Sequence, residues 1–189
     1  MIEQCEYQSL VGSLMYIAIG TRPDIAFAIS VLSKFNSKPM MDHFLATKRV
    51  LRYLKETVGM ALVYGTVDNL IGYRDSYFAG DLNDRKSTSG YVFTLAGAAV
   101  SWKSKKESLL SLSSTEVEYI ACSEAIREGI WLRRFYHEIT YTELNSTLPS
   151  IQLVLSGSQG AICLARAPRS NNRTKHIDVK YHFVQDACA

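Results

Sequence analysis

The sequence predicts an α/β protein in which a three-helix segment precedes a mixed sheet. Two observations predict it. Residues 4–60 place apolar side chains at helical spacing, whereas from residue 61 onward short apolar segments alternate with Gly, Asp, Asn and Ser. A long helical stretch then separates those segments from one more apolar run, IQLVLS at 151–156. That order implies an antiparallel meander, a crossover helix and a parallel strand. The predicted division is a helical part, 1–60, and a sheet-containing part, 61–189.

The first helix carries Tyr7, Leu10, Val11, Leu14 and Met15 on one face, and Gly20 closes it. Pro23 opens the second, where its missing N–H costs nothing. Ile25, Ala28, Ile29 and Leu32 form that helix's stripe, and Pro39 blocks its continuation. A third helix is expected from Asp42, as N-cap, to Thr57. Its stripe is Phe44, Leu51, Leu54 and Val58, with Gly59 as the stop.

In the second part ALVYG, LIGYRDSY, GYVFTLAG and AAVSWKS read as the meander. Residues 81–90 form a polar connection, and Gly97 sits at a tight hairpin. A helix from Ser113 to about Ile139 follows, with Ser113 and Glu116 spaced as a capping box. After the strand at 151–156 come a short helix near 158–166, a basic loop and a last helical piece at 177–186.

A length of 189 residues fits one domain with a helical appendage. A formal charge of +3 permits contact with nucleic acid without arguing for it. The four cysteines, Cys5, Cys122, Cys163 and Cys188, lack CxxC spacing and read as reduced thiols. Met1 is followed by Ile-Glu-Gln rather than a basic and apolar leader. The apolar run at 10–19 is too short to span a bilayer. The expected setting is therefore cytoplasmic or nuclear, neither secreted nor in a membrane.

Asp75 falls on a strand and Glu118 in the first turns of the long helix. Each alone is an ordinary strand-end or first-turn acid. Together they are the residue types that hold Mg²⁺ ions in two-metal phosphodiester hydrolysis, where carboxylates converge on ions about 4 Å apart. Lys48, Arg52 and Lys55 share one helix face and can follow a phosphate backbone, or simply form a solvated face. Arg85, Lys86, Lys103, Lys105 and Lys106 add charge from the meander. Arg166, Arg169, Arg173 and Lys175 add it from the late loop. His176 and His182 have no zinc spacing, and Trp102 and Trp131 read as core.

The chain resembles the C-terminal part of copia-type retrotransposon Pol polyproteins over nearly its whole length. YQSLVGSLMY (7–16), TRPDIAFAISVLSKF (21–35) and KRVLRYLKET (48–57) resemble the connection following reverse transcriptase. GYRDSYFAGD (72–81), RKSTSGYVF (85–93), SWKSKKE (101–107), LSSTEVEYIA (112–121), IWLRR (130–134) and RTKHIDVKYHFV (173–184) resemble the ribonuclease H domain. The resemblance implies a ribonuclease H-like mixed sheet whose last strand is missing. It also implies Mg²⁺ as the ancestral cofactor, RNA–DNA hybrid as ligand, and the reverse transcriptase domain of the same polyprotein as partner.

It further implies that the first catalytic aspartate is Asp75 and the catalytic glutamate is Glu118, both metal ligands in the family. The second acid of the first motif falls on Tyr77 and its tryptophan on Phe78. The third catalytic aspartate, expected within Cys-Asp-Asn-Gln, falls on Gly157 in Ser156-Gly157-Ser158-Gln159. A fourth acid would follow the last residue, Ala189. Loss of carboxylates from a catalytic unit costs orders of magnitude in rate. The expectation is a fragment without catalysis, carrying residual nucleic-acid binding through Lys48, Arg52, Lys55, Arg85, Lys105, Arg173 and Lys175. The alternative is an active Mg-dependent ribonuclease H, completed by further C-terminal sequence or a partner.

Overall fold

The structure, a computed structural model, describes residues 4–66, 70–81, 84–108, 113–144 and 151–155, with the single positions 183 and 186. It is α/β and divides into two compact units. One is Met1–Val63 with Trp102–Lys105, the other Tyr64–Ser101 with Lys106–Ala189.

In the helical unit, α1 spans Gln4–Gly20. A 3₁₀ turn at Pro23–Ile25 leads directly into α2, Ala26–Ser33, and α3 spans Met41–Glu56. Tyr7, Val11, Leu14 and Ala18 recur at the i, i+4, i+7, i+11 positions that face one direction. They bury against Ile25, Ile29 and Leu32, and Phe44, Ala46, Val50 and Leu54 of α3 close the core. Each large side chain so buried contributes roughly 1.5–3 kcal/mol. The polar atoms inside are matched. Tyr7 donates its hydroxyl to the Leu32 carbonyl at 2.8 Å, and the buried Thr47 donates to the His43 carbonyl at 2.9 Å.

Two expectations for α3 need correction. Leu51 and Val58 are exposed, and the packed stripe is Phe44, Thr47, Val50 and Leu54. The cap residue is Met40, not Asp42. Met40 has extended backbone, and its N–H donates to His43 Nδ1 at 3.1 Å. Pro39 disfavours helical backbone at Lys38, the residue before it, and the His43 ring stacks on Phe35 at 3.7 Å. Asp42 remains in the first turn, where its charge favours the helix dipole.

The sheet unit contains β1 (Leu70–Tyr77), β2 (Thr88–Leu95), the ends of β3 (Ala98–Lys106, whose Trp102–Lys105 belong to the helical unit), α4 (Ser114–Leu144) and β4 (Ile151–Leu155). The strand order is β3-β2-β1-β4. β1 runs antiparallel to β2, with Asp75 opposite Gly90, and parallel to β4, with Arg74 opposite Leu155. The segment 61–65, expected as a strand, is not one. It is held instead at two points: Gly65 N–H donates to the Ala96 carbonyl at 2.7 Å, and Tyr64 OH to the Ala99 carbonyl at 3.0 Å. The hairpin between β2 and β3 turns through Ala96 (φ 52°) and Gly97 (φ 87°). Two left-handed residues give the turn whose twist matches the flanking strands.

α4 begins as expected: Ser113 Oγ accepts the Glu116 N–H at 3.2 Å. Leu70, Phe93 and Ala125 form the buried centre of this unit, supported by Tyr91, Leu95, Val100 and Leu132. Cys122 is buried in α4 and Cys5 is exposed on α1. Trp131, expected in the core, is 54% exposed and stacks on Phe135 at 5.2 Å. No helix among the described residues is long and apolar enough to cross a membrane. The expected helices at 158–166 and 177–186, together with Cys163, Cys188, His176 and His182, lie outside the described residues apart from Phe183 and Asp186, which are both helical and exposed.

Candidate functional site

β1 alternates. Leu70, Gly72 and Arg74 are buried, whereas Tyr73, Asp75 and Tyr77 are exposed. Successive strand residues point to opposite faces, so Arg74 and Asp75 serve different sides of the sheet. Arg74, only 2% exposed, faces α4. Its Nη1 donates to the Glu118 backbone carbonyl at 2.8 Å and forms an ion pair with the Glu118 carboxylate. Glu118 is itself largely buried, its side chain 15% exposed.

Asp75 is turned the other way. Its Oδ1 accepts the Ser76 N–H at 2.8 Å. Of the two acids expected to share a metal, the structure joins Glu118 to Arg74 and leaves Asp75 on the exposed face. The fit to Mg²⁺ fails on these observations. A guanidinium already neutralises Glu118, and the neighbouring acid points away from it. Among the described residues no group of three or more His, Cys, Asp or Glu side chains is placed to hold a metal ion. Gly157 lies outside the described residues. The β4 register ends with Leu155 beside Arg74.

Arg74 was the residue missed in the sequence. The signal was available: if Leu70 and Gly72 face the helix, period-two alternation carries Arg74 with them and excludes Asp75.

Around this centre the polar groups are tied. Ser89 Oγ donates to the buried Glu107 carboxylate, and Glu107 N–H donates to the Ser87 carbonyl at 2.8 Å. Ser101 donates to Glu128 at 2.7 Å. Burial, with the Glu128 charge behind it, pushes the neighbouring Tyr91 phenol up to about 12. The connection after β1 is clamped by Lys106, whose Nζ reaches Asp81 at 2.6 Å and Asp84 at 2.7 Å. Asp81 and then Asp84 hold the Lys106 ammonium above its ordinary pKa, and Lys106 holds Asp84 below its own. Arg85 sits exposed on that connection with φ 54°.

In the helical unit Lys48, Arg52 and Lys55 are all exposed on α3, and Lys48 Nζ lies 4.5 Å from the Phe44 ring centre. Lys103 and Lys105 are exposed on β3, whereas the Trp102 indole donates to the Ala18 carbonyl at 2.8 Å. Arg173 and Lys175 lie outside the described residues.

The motif Thr21-Arg22-Pro23-Asp24 has a structural role of its own. Arg22 forks onto Asp24 through Nε at 2.9 Å and Nη2 at 2.7 Å. Nη2 and Nη1 also donate to Thr57 Oγ1 at 2.6 Å and the Thr57 carbonyl at 3.3 Å. Tyr53 OH completes the group on Asp24 at 2.8 Å. A cation thus closes the C-terminus of α3, where the dipole favours it.

No protein-family model matches the chain. Individual proteins do. The Retrovirus-related Pol polyprotein from transposon TNT 1-94 of Nicotiana tabacum is 45% identical over 181 residues, 95% of this chain and 13% of that protein. The corresponding polyprotein from transposon RE1 of Arabidopsis thaliana is 37% identical over 188 residues, 98% of this chain and 12% of that protein. Secreted RxLR effector protein 161 of Plasmopara viticola is 51% identical over 128 residues, 67% of this chain and 90% of that protein. Together with the α/β architecture, these similarities mark the chain as transposon-derived. It belongs to the copia-type, retrovirus-related Pol polyproteins of transposons. It spans only 13% and 12% of the length of the two polyproteins it matches here.

Proposed function

We propose that the chain is a ribonuclease H-like segment of a Pol polyprotein, residues 61–189, preceded by a connection segment, 1–60, from the reverse transcriptase side. In this reading it binds RNA–DNA hybrid and does not cleave it. The observation that carries the proposal is the Arg74–Glu118 pair. A carboxylate of the ancestral metal set is engaged by a buried guanidinium, and Asp75 faces elsewhere. Gly157 in place of the third aspartate points the same way. The strand order, with α4 crossing between β3 and β4, supports a ribonuclease H-like sheet.

Hybrid recognition rests on charge. Lys48, Arg52 and Lys55 on α3, with Arg85, Lys105, Arg173 and Lys175, supply cations for a phosphate backbone read by shape rather than sequence. Residence in the cytoplasm or nucleus follows, where such hybrids form. An electrophoretic shift of labelled RNA–DNA hybrid tests the binding. Retardation should weaken as salt rises. Reversing Lys48, Arg52 and Lys55 to Glu should flatten the salt dependence by about one ion for each phosphate no longer neutralised. Retardation that ignores both salt and the triple reversal contradicts the proposal, as does its absence at low salt.

A further inference from the structure

We propose that Arg74 is the resident cation of the Glu118 site, a permanent internal replacement for the divalent ion. The inference rests on the reading above and concerns how the site is neutralised rather than whether it cleaves. Three observations converge on it. Arg74 is buried on the face of β1 that meets α4. One terminal nitrogen binds both the carboxylate and the backbone carbonyl of Glu118, so the guanidinium is oriented by two acceptors on a single residue. Finally, Glu118 is too buried for water to screen its charge fully, so it requires a partner.

A metal site meets such a requirement by recruiting an ion from solution, and its stability then follows the ion's concentration. An arginine is covalently part of the chain and supplies its charge without an ion from solution. A chain carrying it has a charge-balanced site with no dependence on Mg²⁺ or Mn²⁺. The geometry also explains why Asp75 is dispensable for this balance, since it faces solvent on the other side of the strand.

The test compares the thermal melting of the full chain with Arg74→Ser, Glu118→Gln and the double variant, each in chelator and in saturating Mn²⁺. The wild type should melt at one temperature in both buffers. Glu118→Gln should melt lower, because it removes the carboxylate charge paired with Arg74. Arg74→Ser should melt lower than the wild type in both buffers. The loss in the double variant should be smaller than the sum of the two single losses.

A Mn²⁺ shift in the wild type overturns the proposal. So do additive single losses. Should Arg74→Ser not fold, Glu118→Gln and Arg74→Lys decide. A lowered melting point in the former and Mn²⁺ indifference in the latter sustain the proposal. An unchanged Glu118→Gln, or Mn²⁺ dependence in Arg74→Lys, overturns it.

Discussion

Arg74 on β1 holds Glu118 on α4 by an ion pair and a 2.8 Å hydrogen bond to its backbone carbonyl. The pair joins an inner strand of the sheet to the opening turns of the helix that covers it.

The two acids should therefore differ sharply in their effect on stability. Glu118→Gln removes the carboxylate charge from a buried pair and should cost about 3 kcal/mol, the scale for breaking one side of such a pair. Asp75→Asn alters an exposed side chain and should change stability by no more than about 0.5 kcal/mol. Urea unfolding of the two variants reads the difference. Equal losses would mean that Asp75 shares the buried charge network.

Acid should loosen the helical unit through Asp24. Arg22 holds the Asp24 carboxyl below its usual pKa, with Tyr53 adding to the effect. A depressed carboxylate adds stability that is complete above its unfolded pKa, near about 3.9, and is lost as pH falls through the folded value. Wild type and Asp24→Asn should then differ at neutral pH and converge below about pH 4. Arg22→Ala should cost roughly 2–3 kcal/mol at neutral pH, below the full cost of a buried pair because Asp24 is partly exposed. Melting curves across the acid range check both, and a gap between wild type and Asp24→Asn that persists in acid argues against the mechanism.

The β2–β3 hairpin offers a stabilising change. Ala96 holds φ 52°, a region that penalises a side chain, whereas asparagine tolerates it. Ala96→Asn should raise stability by about 0.5 kcal/mol. Gly97→Val should lower it by about 1–2 kcal/mol. That loss is conformational, since a Cβ at Gly97 meets nothing within 4 Å. Thermal unfolding of both variants measures the pair, and losses of similar size in both would rule out the assigned turn.

Much of the architecture was legible because apolar period and punctuation agree. Gly20, Pro23 and Pro39 mark the helices, and Gly97 marks the hairpin. Segment 61–65 misled because a short apolar run carries no register. It anchors to the hairpin by Gly65 and Tyr64 instead of pairing along a strand. Trp131 misled because an aromatic on an apolar helix suggests burial, yet Leu132 takes the packed side of α4 there and the indole lies exposed against Phe135. At the site, motif spacing singled out Asp75 and Glu118 but could not say which residue of β1 would meet the helix. That depends on which parity of the strand faces inward, and it selects Arg74.

The most direct measurement is cleavage of a labelled RNA–DNA hybrid by the purified chain in Mg²⁺ or Mn²⁺. Wild type should release no more product than the double variant Asp75→Asn, Glu118→Gln. Turnover by the wild type that disappears in Asp75→Asn would contradict the claim that Arg74 has closed this site to metal-dependent hydrolysis.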